Sequence, residues 1–237
     1  DDEPTLLQRG SAYDSANEPD KAIADYTEAH RLAPRDHYPL FYRGIAYYSK
    51  KGLYALAIDD FTEALEIEPK KINVWINRGI ALREKGQLDE ALADFSEAIR
   101  LGLQLADVLQ FGSKDQQAVR HWDQVAKAHY QRGDVYVRKK EFDLAIADLN
   151  EAIRIKPTEA RAWASRGALF LARGEATRAI ENFDEAIRLD PNDYFAFFER
   201  GFAFHSIDEP DKAHADYTRS IDLNPRYITA FLNRGMI

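Results

Sequence analysis

An Arg-Gly pair returns seven times along the chain: Arg9-Gly10, Arg43-Gly44, Arg78-Gly79, Arg132-Gly133, Arg166-Gly167, Arg200-Gly201 and Arg234-Gly235. The glycines are 34, 35, 54, 34, 34 and 34 residues apart, so the single outlier exceeds the period by about twenty. A fixed period of this length means one supersecondary unit stacked on copies of itself, each covering the apolar face of the next. A chain of 237 residues built this way has no single central core.

Other positions move with the glycine. Twelve residues on, or thirteen in the second unit, stand Ala22, Ala57, Ala91, Ala145, Ala179 and Ala213. Four further are Tyr26, Phe61, Phe95, Leu149, Phe183 and Tyr217, then Ala29, Ala64, Ala98, Ala152, Ala186 and Ser220. Units close with Pro34, Pro69, Pro157, Pro191 and Pro225. Apolar spacings of i, i+3, i+4 and i+7 predict two helices per unit. Gly or Pro-Asp supplies the turn between them, and the closing proline ends one helix or opens the next. Glycine inside a helix costs about 0.5–1 kcal/mol against Ala. Its recurrence therefore implies a close approach of two helix backbones, with the column alanine as the small partner.

These columns resemble the tetratricopeptide repeat, carried here by Trp75, Gly79, Ala91, Phe95 and Ala98, and by Trp163, Gly167, Phe170, Ala179, Phe183, Ala186 and Pro191. The resemblance implies an all-α, right-handed superhelical solenoid of antiparallel helix hairpins, first helices lining a concave surface. Residues 1–237 read as one solenoid with repeats at about 3–36, 37–71, 72–104, 125–159, 160–193 and 194–227, and a partial repeat at 228–237. The chain departs from the family in placing Arg before the Gly. Asp25, Asp60, Asp94, Asp148, Asn182 and Asp216 lie sixteen residues after that Arg, or seventeen in unit two, which predicts Arg–Asp pairing between helices.

The excess residues fall within 102–124, an insertion between repeats three and four. Leu103 to Phe111 reads as a short helix or packed loop. Ser113 with Gln116 is a capping-box pattern, and a long first helix of unit four is expected from about residue 114. The insertion either plugs a local gap or meets a partner. The chain begins at Asp1 without Met, and its last helix leaves Leu232, Met236 and Ile237 apolar. The start reads as that of a trimmed or processed chain, and the last end as continuing in the native protein or meeting another protein, such as a second copy.

The balance of 40 acidic against 32 basic residues and the lack of a basic stripe argue against a nucleic-acid binder, whose affinity rests on phosphate neutralisation. Cysteine is absent, which removes disulfides, thiolate catalysis and Cys-ligated zinc. No apolar run approaches the roughly 20 residues of a membrane helix. The chain reads as soluble and cytoplasmic, with an exported mature domain as the alternative. No phosphate-cradling glycine motif, nucleophile elbow or adjacent histidine pair is present, so neither catalytic residues, nor a cofactor, nor a metal is expected. His129 falls in a core column.

The stretch from Tyr194 to Phe204 holds six aromatics, more than one helix face can use. Phe197 and Phe204 fall in columns expected to be hairpin core, with Leu6, Leu40, Trp75, His129, Trp163 and Phe231 in the first of them. Phe195, Phe198 and Phe202 share a separate stripe, extended by His205. By the resemblance this stripe faces the concave groove, beside Ala164, Ala168, Leu171 and Arg161. Tyr194 has no assigned role. A second aromatic cluster stands at Tyr38, Phe41, Tyr42 and Tyr48. Between the two the groove is more polar: Asn77, Arg83, Lys127 and Tyr130.

An apolar–polar–apolar groove suits a protein or peptide partner bound by apolar anchors, with Arg161 and Lys127 orienting acidic groups. The alternatives are that the rings pack against adjacent first helices, or that they pair two copies. The carboxylate clamp by which some family members grip a chaperone tail needs Lys, Asn, Asn, Lys and Arg at fixed columns. Leu7, Ser11, Tyr42, Asn73 and Asn77 do not supply it, nor do Phe41, Ile45, Asn77, Lys127 and Gln131. The reading is an interaction scaffold; the alternative is a regulatory or structural repeat domain of a larger protein, which could be an enzyme, or a homodimerising adaptor.

Overall fold

The computed structural model describes residues 2–49, 52–104 and 116–237. The described residues form thirteen α-helices and no strands: α1 (Glu3–Ser15), α2 (Pro19–Leu32), α3 (His37–Ser49), α4 (Tyr54–Ile67), α5 (Ile72–Lys85), α6 (Leu88–Gln104), α7 (Gln116–Arg138), α8 (Phe142–Ile155), α9 (Ala160–Ala172), α10 (Ala176–Leu189), α11 (Tyr194–Ser206), α12 (Pro210–Leu223) and α13 (Ile228–Arg234). They group into two compact units, 1–135 and 136–237, with the boundary inside α7. In the first unit α1 packs on α2, α3 on α4 and α5 on α6; in the second, α9 packs on α10 and α11 on α12.

The expected long helix of unit four is present as α7, 23 residues from Gln116. The stretch expected to hold a short helix or packed loop, and the proposed cap Ser113, lie outside the described residues. What is described is that α6 runs on through Gly102 and Leu103 to Gln104. A Cβ on Gly102 would stand 2.4 Å from a Val125 methyl of α7.

The hairpin turns share one device. A residue with left-handed backbone ends each first helix: Asn17 (φ 59°), Gly52 (96°), Gly86 (87°), Lys140 (62°), Gly174 (77°) and Asp208 (62°). The next N–H folds back to the first helix, as Glu18 N to Tyr13 O (2.9 Å), Gln87 N to Leu82 O (2.9 Å) and Glu209 N to Phe204 O (3.0 Å), a Schellman closure. The Pro-Asp pairs are therefore not the turn. Pro19 and Pro210 open α2 and α12, where a missing N–H costs nothing. Lys140 holds a conformation that glycine adopts without steric cost, so Lys140→Gly is expected to stabilise the chain by about 0.5–1 kcal/mol. The reading is a higher urea midpoint with unchanged m.

The recurring glycine has a different partner from the one expected. A Cβ on Gly10 would meet the Tyr26 ring at 2.5 Å, on Gly44 the Phe61 ring at 2.6 Å, on Gly79 the Phe95 ring at 2.8 Å, and on Gly167 the Phe183 ring at 2.9 Å. The aromatic of the second helix, not the column alanine, lies flat on the glycine backbone. Tyr26 and Phe95 are fully buried, with Phe61 and Phe183 at 1%.

Five of the six predicted arginine pairs are present. Arg43 forks onto Asp60 (2.9 and 2.7 Å), Arg78 onto Asp94 (2.8 Å twice) and Arg200 onto Asp216 (2.8 Å twice). Arg9 likewise reaches Asp25, and Arg166 reaches Asn182. The remaining Nη1 reaches back to the previous hairpin: Arg43 to Thr27 (3.2 Å), Arg78 to Thr62 (3.2 Å), Arg166 to Asn150 (2.7 Å) and Arg200 to Asp184 (2.6 Å). One guanidinium thus ties both helices of its own hairpin to the neighbour, which sets the stacking register.

Candidate functional site

The packing sorts the aromatics of α11 differently from the helical-wheel expectation. The deepest positions are Ala196 and Ala203, both fully buried. Their equivalents are as deep: Val74, Ala128, Ala162 and Ala230 in one column, Ala46, Ala81 and Val135 in the other. Adjacent hairpins approach closely there, and mostly small or β-branched side chains fill the space, with Leu169 in the second column of α9. Phe197 and Phe204, expected as core, are half-buried. Each lies against the Arg200 guanidinium, 5.5 and 5.9 Å from the ring centroids. Trp75 and Trp163 hold the same place beneath Arg78 and Arg166, both at 4.7 Å. Their indoles donate to the carbonyls of Pro69 (2.8 Å) and Pro157 (2.9 Å). Phe231, expected as core in the same column as Phe197, is 42% exposed, and Ala230 is the buried residue of α13.

Phe198, expected in the groove, is only 7% exposed. It packs on Tyr217 (5.7 Å) and edge-on to Tyr227 (5.0 Å). Phe41 occupies the same column and is buried at 9%, against Phe61 at 6.1 Å. Phe195 and Phe202 remain open, 44% and 48% exposed. Phe195 leans on Phe198 and Tyr227. Tyr194 stacks edge-on with Tyr227 at 5.2 Å, and its carbonyl accepts from Ser220 Oγ at 2.8 Å.

The first helices α9, α11 and α13 enclose a hollow of about 420 Å³, lined by Ala168, Leu171, Ala172, Phe198, Glu199, Phe202, Thr229 and Asn233. Leu171, Phe198 and Phe202 line it together. Arg161 and His205 are exposed on the same helices and do not line it. Glu199 was missed by the sequence reading. Among the described residues no hydrogen bond or ion pair engages it, and burial holds its carboxyl above the usual carboxylate range. A signal existed. The residue before each recurring Arg reads Gln8, Tyr42, Asn77, Gln131, Ser165, Glu199 and Asn233, and Glu199 alone carries a charge.

In the 1–135 unit a shallower hollow of about 600 Å³ is lined by Pro4, Leu7, Gln8, Ser11, Tyr38 and Tyr42. Tyr38 is 44% exposed, stacks on Tyr42 at 6.3 Å and lies under Lys71 Nζ at 5.8 Å. Tyr48 packs on Tyr54 at 5.7 Å. The polar residues expected to greet a partner are partly engaged within the fold. Arg83 is bound by Glu84 (2.8 Å), Asp134 (2.9 Å) and Gln131, so it is a structural clamp. Asn77 donates to the Asn73 carbonyl at 2.6 Å. Tyr130 is half-buried and Lys127 exposed. His129 is buried, as its column implies, and His121 Nε2 lies 2.7 Å from the Gly102 carbonyl. Among the described residues no cluster of three potential metal ligands occurs, and no helix is long and apolar enough to cross a membrane.

A repeated hairpin of small interface residues, an aromatic seated on a glycine, and a hollow on the first helices define an α-helical repeat protein of the protein-interaction class. The chain belongs to the tetratricopeptide repeat family: its models match residues 7–72, 116–160 and 130–194, and a second model matches 72–102. A heat shock protein sti1 homologue of Schizosaccharomyces pombe is 33% identical over 95 residues, which is 40% of this chain and 16% of that protein. The chain thus corresponds to a small part of that relative. The fold is similar to that of pilF from Pseudomonas aeruginosa, with a TM-score of 0.79 at 14% identity over 99% of this chain and 97% of the other. It is also similar to YrrB, a tetratricopeptide protein with an unusual peptide-binding site, at a TM-score of 0.61 and 20% identity over 89% and 97% of the two chains.

Proposed function

We propose that this chain is an interaction scaffold that binds a peptide or helical segment of a partner protein against its first helices through apolar anchors. The observation that carries this is the hollow between α9, α11 and α13. Its walls are mostly apolar, and Phe202 and Phe195 stand open on a helix anchored in the stack by the fully buried Ala196 and Ala203. Large exposed rings held on a rigid element are what interaction sites use, since little side-chain entropy is lost on binding. The peptide-binding character of YrrB, a structure of the same fold, supports this reading.

Phe198 does not belong in the test, because it is buried and its loss would unfold the hairpin. The variant is Phe195→Ser with Phe202→Ser. It is expected to melt within a few degrees of wild type, surface changes of this kind costing within about 0.5 kcal/mol each, and to lose partners that wild type captures. Retention of the same partners by the folded variant removes the anchors from the proposal.

A second reading, a regulatory or structural repeat domain of a longer protein, rests on the 16% of the sti1 homologue that the chain spans. Reading the frame on past Ile237 in the source genome decides it.

A further inference from the structure

An isolated carboxylate in an apolar hollow costs stability unless something neutralises it. Glu199 is such a group. It lines the hollow of α9, α11 and α13 between Phe198 and Phe202, and no cation stands against it among the described residues. Elsewhere in 136–237 several acidic groups of the helix surfaces are matched: Glu175 with Arg178, Glu185 with Arg188, Asp184 and Asp216 with Arg200. The field of the unpaired charge is felt by its neighbours. Burial first, and then the Glu199 charge, hold the Tyr227 phenol above its usual range.

A second polar group is unpaired close by. Tyr217 is fully buried behind Phe198, and its hydroxyl has no hydrogen-bond partner of normal geometry. Asn233, which faces that hydroxyl, lines the same hollow. The site thus combines apolar walls, two aromatic rings and an unneutralised carboxylate.

We infer that this hollow receives a Lys or Arg side chain of the partner segment, flanked by an aliphatic residue. The chemistry fits part by part. The methylene stem of such a side chain lies along apolar surface while its charged end seeks an acceptor. The rings of Phe198 and Phe202 add attraction for a cation. A charge-assisted hydrogen bond to Glu199 offsets the desolvation already incurred in the unbound protein. About 420 Å³ is at the small end of ligand-sized pockets and admits one long side chain with a small neighbour. The chain's net charge of −8 draws a basic segment in at long range. An acidic partner, the expectation attached to Arg161 and Lys127, would meet like charge at this place.

This inference rests on the scaffold reading, and the test separates the two. The isotope-labelled full chain is titrated by NMR with three capped tripeptides, acetyl-Ile-X-Leu-amide, in which X is Lys, norleucine or Glu. The Lys peptide is expected to bind about tenfold more tightly than the norleucine peptide, with shifts at Ala168, Phe202 and Thr229, and the Glu peptide more weakly than either. Glu199→Gln is expected to erase the preference for Lys, leave norleucine-peptide binding in place, and melt at or above the wild-type temperature because it removes an unpaired, half-buried charge. Equal binding of the Lys and norleucine peptides overturns the cationic specificity while leaving the apolar anchor standing. Survival of the Lys preference in the folded Glu199→Gln chain also overturns it. Absence of any peptide from the hollow overturns both.

Discussion

Gly79→Ala is expected to destabilise the 1–135 unit by about 1–3 kcal/mol, the range of overpacked cores, although alanine is the better helix former. The added methyl would stand 2.8 Å from the Phe95 ring. That ring is fully buried beside Ala91, Ala98 and Ile99 and has no open side to move toward. Phe95→Ala by itself is expected to cost about 3–5 kcal/mol as a large core truncation. The two changes should not add. With the ring gone, the methyl at 79 enters vacated space, and Gly79→Ala becomes stabilising by the propensity difference of about 0.5–1 kcal/mol. Urea unfolding of the four chains of this cycle provides the measurement. A Gly79→Ala effect of the same sign in both backgrounds would show that the glycine serves something other than the ring.

The second large effect concerns the buried pairs. Asp94→Ala is expected to cost about 3–5 kcal/mol, because it removes the carboxylate from a largely buried Arg78 guanidinium and leaves it only Thr62 and the Trp75 ring. Arg78→Leu with Asp94→Leu should cost far less. The reason lies in the balance at the carboxylate. Burial raises the Asp94 and Asp60 carboxyls above their ordinary value of 3.8, and the hydrogen bonds from Arg78 and Arg43 only partly offset it. From the other side of the second pair, the Asp60 hydrogen bond holds the Arg43 guanidinium more firmly protonated, but that titration lies far above any working pH. The carboxyl side therefore governs.

A carboxyl whose folded pKa is raised contributes stability below its unfolded pKa, and that contribution is lost as pH rises through the folded value. Lowering the pH from neutral toward 3.8 should therefore add stability through Asp94. The difference between wild type and Asp94→Asn isolates this gain from the half-buried Glu28 and Glu97, which shift downward through Arg31 and Arg100. A wild type that loses stability relative to Asp94→Asn over that range would reverse the sign.

Much of the hairpin architecture was legible because its signals are local. The Arg-Gly period, the alternation of helices and the Arg-to-Asp spacing of sixteen each follow from helical geometry within one hairpin, and the arginine forks appear where the spacing placed them. The failures share one cause. Depth was read from columns within one helix, so Phe197 and Phe204 were assigned to the core and Phe41 and Phe198 to the groove. Depth instead follows how closely neighbouring hairpins approach, and at the closest points only Ala196 and Ala203 fit. Phe198 was misplaced because Tyr217 and Tyr227, 19 and 29 positions along the chain, come over it only after α12 and α13 have docked. Arg83 was read as open to a partner, and it is held by Asp134, 51 residues away.

What the sequence determined by itself is therefore the repeat, the helices and the class of the protein, since a period of 34 residues carrying helical spacing has few other solutions. Tertiary structure alone decided which rings are buried, that Gly10, Gly44, Gly79, Gly167 and Gly201 carry an aromatic rather than an alanine, and that Glu199 stands unpaired in an apolar hollow. Those outcomes depend on distances between helices far apart in the chain, and no pattern within one helix encodes them.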